Sequence, residues 1–150
     1  GTTRKRYKMI LISHRGNITG PNPERENSIE YITEALNKGY SVEIDIWLIG
    51  DNIYLGHDKP EYETTLSFLK NDRLWCHCKN IDALQFLLEN DIHCFFHQED
   101  DVTLTSRGYM WVYPGKKLVR DSVCVMPELG YAGDLKTCYA ICSDYIGDYN

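Results

Sequence analysis

Residues 7 to 14, YKMILISH, form a near-continuous apolar run, the pattern of a strand covered on both faces. After a polar, proline-broken loop, NSIEYITEALNKG sets Ile29, Ile32 and Leu36 at helical spacing. Asn27 stands as a candidate N-cap, Glu30 follows three residues on, and Gly39 closes the helix. YSVEIDIWLI, residues 40 to 49, alternates with period two, and Gly50-Asp51-Asn52 turns it into a short second strand, IYLGH. TTLSFLKN suits a short helix and RLWCHCK the next strand. NIDALQFLLEND is the next helix, with Asn80 as cap and Ile81, Leu84, Leu87 and Leu88 on one side. IHCFFHQ, MWVYP, SVCVMP and YAICSDYI are further strands, and GDLKTC forms one or two helical turns.

Strands alternating with helices predict parallel βαβ units, about seven main strands in all. A closed barrel of eight such units needs ~250 residues, and this chain has 150. The expected fold is therefore α/β, a compressed or incomplete TIM-type (β/α) barrel of mainly parallel strands. It occupies residues 1–150 as a single domain, since no repeat, low-complexity tract or linker divides the chain.

Composition narrows the function. A hydrophobic share of 43% supports one real core. A net charge of −6 and a pI near 5.3 argue against a nucleic-acid or anionic-membrane surface, because phosphate backbones demand basic patches. The one basic cluster, RKRYK at residues 4 to 8, reads as a solvated terminal arm. No apolar run approaches ~18 residues and no signal-peptide pattern appears, so no transmembrane segment is expected. The six cysteines fall far below the ~8–10% of a disulfide scaffold. We read them as mostly reduced and expect a cytoplasmic protein. Cys76 and Cys78 flank His77, but strand geometry puts both sulfurs on the face opposite the imidazole, so packing is favoured over zinc.

In parallel sheets ligands lie beyond the carboxyl ends of the strands, which turns strand ends into candidates. The first strand ends in His14 and Arg15. The second carries Glu43 and Asp45 on one face, with Ile44 and Ile46 on the other; in a strand buried on both faces these carboxylates need a partner or a cation. Two carboxylates on one wall suit a hard divalent ion. His57 follows the hairpin from the same strand, and two imidazoles can divide general acid and general base work near neutral pH. His77 and Lys79 share a face, and an ammonium there, with Arg15, would neutralise a phosphoryl group from two sides. Trp111, Tyr113, Tyr131 and Tyr145 suit either the mouth of the pocket or the core, the core for most of them, and Glu128 and Asp144 are weaker site candidates near late strand ends.

The order HRGN, ENS, EIDIWLIGDN, LGHD, HCK and a late ICSDYI resembles the glycerophosphodiester phosphodiesterase superfamily, which includes spider-type sphingomyelinase D enzymes. The agreement in order, spacing and residue type is concentrated in residues 10 to 58. The resemblance implies His14 and His57 as the acid/base couple, Glu43 and Asp45 as ligands of Mg²⁺ or Ca²⁺, and Arg15 and Lys79 as phosphate-binding cations. Two departures stand out. His77 occupies the place of a third acidic ligand, and imidazole is a poorer ligand for Mg²⁺ or Ca²⁺ than carboxylate. The segment after His57 is too short for the family's inserted recognition region. The substrate expected is a glycerophosphodiester or related lipid-headgroup phosphodiester. Two other readings stand beside this one: a phosphate-binding module without turnover on the same fold, and a transition-metal hydrolase using His77, His93 and His97, though packing roles or roles behind the ligands suit the last two better.

Overall fold

The strands of this chain change character along their length, apolar first and polar at the carboxyl end. The computed structural model describes residues 9–131 and 133–150; the basic cluster at 4 to 8 and the first two residues of the expected opening strand lie outside the described residues. Seven strands run parallel: β1 (Ile10–His14), β2 (Ser41–Ile49), β5 (Leu74–Cys78), β6 (Cys94–Phe96), β8 (Met110–Val112), β9 (Ser122–Val125) and β10 (Ala140–Ser143). They lie in the order β6-β5-β2-β1-β10-β9-β8. Three short strands run antiparallel: β3 (Asn52–Leu55) on the far half of β2, β4 (Tyr62–Thr64) on β3, and β7 (Val102–Leu104) on β8.

The sheet curls until its two ends approach. Ser106 N–H donates to the Cys94 carbonyl at 2.8 Å, and the Thr103 hydroxyl donates to the Phe96 carbonyl at 3.0 Å. Inside the curl, Ile12, Trp75, Phe95, Trp111, Val123, Ala140 and Cys142 form one apolar cluster. Outside, helices α1 (Ile29–Asn37) and α3 (Ile81–Glu89) cover Val42, Ile44, Ile46, Leu74, Cys76 and Cys78. A third cluster, with Tyr40, Cys124, Ile141 and Ile146, covers the remaining outer face.

The expected α/β fold, a compressed or incomplete TIM-type (β/α) barrel of mainly parallel strands, is not what forms. The molecule is mostly sheet, mixed parallel and antiparallel, and only part of a barrel. Beyond α1, α3 and the single-turn α2 (Leu66–Leu69), the described helical segments are three 3-10 turns, Pro127–Leu129, Leu135–Thr137 and Ile146–Tyr149. The cause lies in the connections. A helical crossover takes about a dozen residues with apolar positions at helical spacing. The link from β8 to β9, YPGKKLVRD, is shorter and begins with Pro-Gly, and the link from β6 to β8 spends its residues on β7.

Two local expectations shift as well. Ser28, not Asn27, caps α1, accepting from the Tyr31 N–H. On α3 the buried face is Ala83 and Leu87, while Ile81 is 73% and Leu88 49% exposed. The six cysteines are free and buried, as the composition suggested. No helix among the described residues is long and apolar enough to cross a membrane.

Candidate active site

Sheet register builds the site. On β2 the side chains of Val42, Ile44 and Ile46 enter the helix-covered core, which turns Glu43 and Asp45 to the inside of the curl. Asp45 pairs across the ladder with His77 on β5, and His14 on β1 pairs with Glu43. Each of these strands packs an apolar residue below its polar one: Ile12 below His14, Trp75 below His77, Trp111 below Tyr113, Cys142 below Asp144. The result is a cavity of about 520 Å³ lined by His14, Arg15, Glu43, His57, His77 and Lys79 on one side and by His97, Trp111, Tyr113 and Val125 on the other.

Glu43 and Asp45 are 2% and 0% exposed. Burying a carboxylate costs several kcal/mol unless it is compensated, and the compensation here is uneven. Asp45 Oδ2 accepts from the Asn27 amide at 2.9 Å and lies 3.3 Å from Arg15 Nε and 3.7 Å from His57 Nδ1. Asp45 Oδ1 and Glu43 Oε1 are buried with no hydrogen-bond partner. His77 Nδ1 stands 3.4 Å from Asp45 Oδ1 and 3.7 Å from Glu43 Oε2, distances of electrostatic contact rather than hydrogen bonds. One ligand atom from each of Glu43, Asp45 and His77 falls within 4.8 Å of the others. Burial alone would raise the Asp45 pKa, but His57, His77 and Arg15 together hold it well below the usual carboxylate range. The same carboxylates push His77 up to about 9 against the opposing effect of its own burial. His77 therefore pairs with the two carboxylates as a cation and would ligate a metal ion only on giving up its Nδ1 proton; its other nitrogen, Nε2, donates to the His97 carbonyl at 3.3 Å. That bond fixes the ring with Nδ1 aimed at the carboxylates. Two orphaned buried oxygens and a directed imidazole nitrogen make a donor set that fits a divalent cation.

The two candidate acid/base histidines are held in opposite senses. His14 Nδ1 lies 2.7 Å from Asp144 Oδ1, and since a carboxylate only accepts, Nδ1 carries the proton and Nε2 is left facing Glu43 at 3.9 Å. Burial works to lower the His14 pKa, but the Asp144 bond and the Glu43 charge outweigh it and raise it. His57 Nδ1 lies 2.7 Å from Arg15 Nη2. A guanidinium only donates, so His57 accepts at Nδ1 and its proton sits on Nε2.

Arg15 is engaged on every side: Nη1 with Glu26 at 3.3 Å, Nε with Asp45, Nη2 with His57. The sequence offered it as a phosphate ligand; the structure surrounds it with protein partners. Lys79 lines the cavity with no ion pair among the described residues. Arg15 and Asn27 both adopt left-handed backbone, φ 60° and 67°, and are joined by a 3.1 Å bond from Asn27 N–H to the Arg15 carbonyl. Such strain in non-glycine residues collects at functional sites.

The structure adds residues that sequence reasoning passed over. Asn27, taken as a helix cap, clamps Asp45 with both ends of its amide, accepting from the Asp45 N–H at 3.0 Å. Asn17 donates to Asp144 at 2.9 Å and accepts from the Tyr31 hydroxyl. Asp144, a weaker candidate, holds His14, whereas Glu128 accepts from Ser143 and Tyr149. The only sequence signal for Asn27 was its place in ENS behind HRGN. His93 lies elsewhere, buried against Trp75 with Nε2 2.7 Å from the Thr105 hydroxyl. His97 reaches the cavity and stacks on Tyr113 with ring centroids 3.8 Å apart. Comparison with family models, curated proteins and solved structures finds no match for this chain.

Proposed function

We propose that this chain is a metal-dependent phosphodiester hydrolase of glycerophosphodiesterase-like chemistry, acting on a glycerophosphodiester or a related lipid-headgroup phosphodiester. The observation that carries the reading is the pair of imidazoles flanking a buried, undercompensated carboxylate pair, His14 with a free Nε2 and His57 with an Nε2–H. One ring is set to take a proton and the other to give one.

In this reading Glu43, Asp45 and His77 hold the cation, with Mg²⁺ or Ca²⁺ favoured by the two carboxylates. When bound, it supplies charge stabilisation for the phosphoryl oxygens. His14 Nε2 takes the proton from a substrate hydroxyl next to the phosphodiester, and that oxygen bonds to phosphorus. The bond from phosphorus to the leaving alcohol breaks as His57, entering the step as the imidazolium, gives its Nε2 proton to the departing oxygen. A cyclic phosphate and a free alcohol result. Asp144 orients His14 and offsets the positive charge it gains, and Arg15 positions the His57 ring.

The test is release of free alcohol from a panel of glycerophosphodiesters and lysophospholipid-type diesters, with phosphorus NMR on the product. Turnover with a cyclic or monoester phosphate supports the hydrolase. Tight binding of the diesters without turnover, at every cation, would make the chain a phosphate-binding module instead. One observation favours a transition-metal variant, the imidazole nitrogen of His77 directed at the ion site by the His97 carbonyl. Elemental analysis of purified protein distinguishes it.

A further inference from the structure

Six buried side-chain polar atoms lack a hydrogen-bond partner among the described residues, on Ser13, Arg15, Glu43, Asp45, Thr64 and Tyr113. Arg15, Glu43 and Asp45 belong to the site described above. Tyr113 lines the same cavity from the opposite wall, on the strand end after β8, yet its buried hydroxyl has no hydrogen-bond partner among the described residues. A buried phenol usually finds a partner, and one left unmade costs stability. The ring is not free to turn away, because it stacks on His97 at 3.8 Å and 22°. His97 in turn is tied through its carbonyl to His77. The hydroxyl is therefore held in place, at the cavity, without an acceptor. Burial pushes the Tyr113 phenol up, and the charges of Glu43 and Asp45 push it further, so the group stays protonated and remains a donor.

The other polar groups sort by sign. Glu43 and Asp45 are acceptors directed at a cation. Arg15 faces Glu26, Asp45 and His57, its Nε in ion-pair contact with Asp45 without a hydrogen bond, so it points to protein and not to the open cavity. The His57 Nε2–H is assigned to the leaving alcohol; Lys79 and the Tyr113 hydroxyl are further donors on the cavity wall without a protein acceptor among the described residues, and a ligand complementary to them carries anionic oxygen. Resting on the phosphodiesterase reading, we propose that the Tyr113 hydroxyl is a substrate-binding residue that, together with Lys79, donates to a non-bridging phosphoryl oxygen of the bound ligand. Replacing Tyr113 by an apolar ring would then affect anion recognition and not packing.

Tyr113→Phe removes only the hydroxyl and keeps the stack on His97. The probe is inorganic phosphate titrated by calorimetry into the protein with excess Mg²⁺, beside thermal unfolding of the ligand-free protein. The expected result is phosphate affinity about tenfold weaker, with ligand-free Tm unchanged or raised because an unsatisfied buried group is gone. Tyr109→Phe is the contrast: its hydroxyl contacts that of Tyr139 at 3.3 Å, so it should lower Tm and leave phosphate binding alone. Unchanged phosphate affinity in Tyr113→Phe, a Tm lowered as in Tyr109→Phe, or absence of phosphate binding in the unmodified protein would each overturn the assignment. The hydrolase reading fails separately. Phosphate binding that depends on Tyr113 without any diester turnover keeps this residue's role and discards the reaction; turnover with a Tyr113-independent phosphate affinity does the reverse.

Discussion

His14 and His57 differ in what their inner nitrogens meet, and the chemistry assigned to each follows from that one contact. A carboxylate lies behind His14 and a guanidinium behind His57, and on the proposed reading His14 is the base and His57 the acid. We expect His14→Ala and His57→Ala each to lower turnover by about a hundredfold or more, while Tm moves little, because neither ring belongs to an apolar cluster. Near-normal rates in either variant would remove that residue from proton transfer. At this scale the sequence was most legible where a strand's period fixed the face. Glu43, Asp45, His77 and Lys79 could be set on one wall because one slip in register would have buried charges beneath the helices. Asn27, Asn17 and Asp144 were less legible. Local rules offer asparagine a cap, and nothing local says that a side chain will instead reach across to a strand eighteen positions on.

The elements themselves were largely readable where they are long or strongly patterned. The parallel strands, the β2–β3 hairpin, α1 and α3 follow from apolar runs, period-two alternation and asparagine or serine caps. The short β4 and β7 did not show, since three residues carry too little pattern, and the expected ring of helices failed where connections are short. One turn carries particular weight. Gly56 has φ 154°, its N–H bonds to the Asp45 carbonyl at 3.1 Å, and its carbonyl accepts from the Trp47 indole at 2.6 Å. A Cβ there would fall on the backbone carbonyl oxygen of Lys59. Gly56→Ala should therefore cost about 2 kcal/mol or more, seen in urea unfolding, and should displace the adjacent His57. Wild-type stability in that variant would show that the turn gives way without strain.

For the molecule as a whole, the histidine that bears on stability is not one of those proposed for catalysis. His93 sits in the wall below the site, and burial, with the Arg107 charge, lowers its pKa from the ordinary 6.5 to about 4. Between those values the unfolded chain takes up a proton that the folded chain refuses, so the contribution is intact above pH 6.5 and is lost as pH falls towards 4, on the order of 3 kcal/mol in all. Unfolding free energies measured across that range should fall more steeply in the wild type than in His93→Gln, which keeps a polar partner for Thr105 but does not titrate; parallel curves would contradict it. The partial barrel thus places a neutral histidine in its packed floor and two oppositely oriented ones at its polar rim, around carboxylates that lack full compensation. The central claim is that those carboxylates serve a cation in phosphodiester cleavage. Its most direct test is the initial rate of glycerophosphodiester hydrolysis by the wild-type chain in excess chelator and again after Mg²⁺, Ca²⁺ or Mn²⁺ is restored. The account predicts no rate with chelator and recovery with at least one cation. Full activity in chelator, or no hydrolysis under any of these conditions, would contradict it.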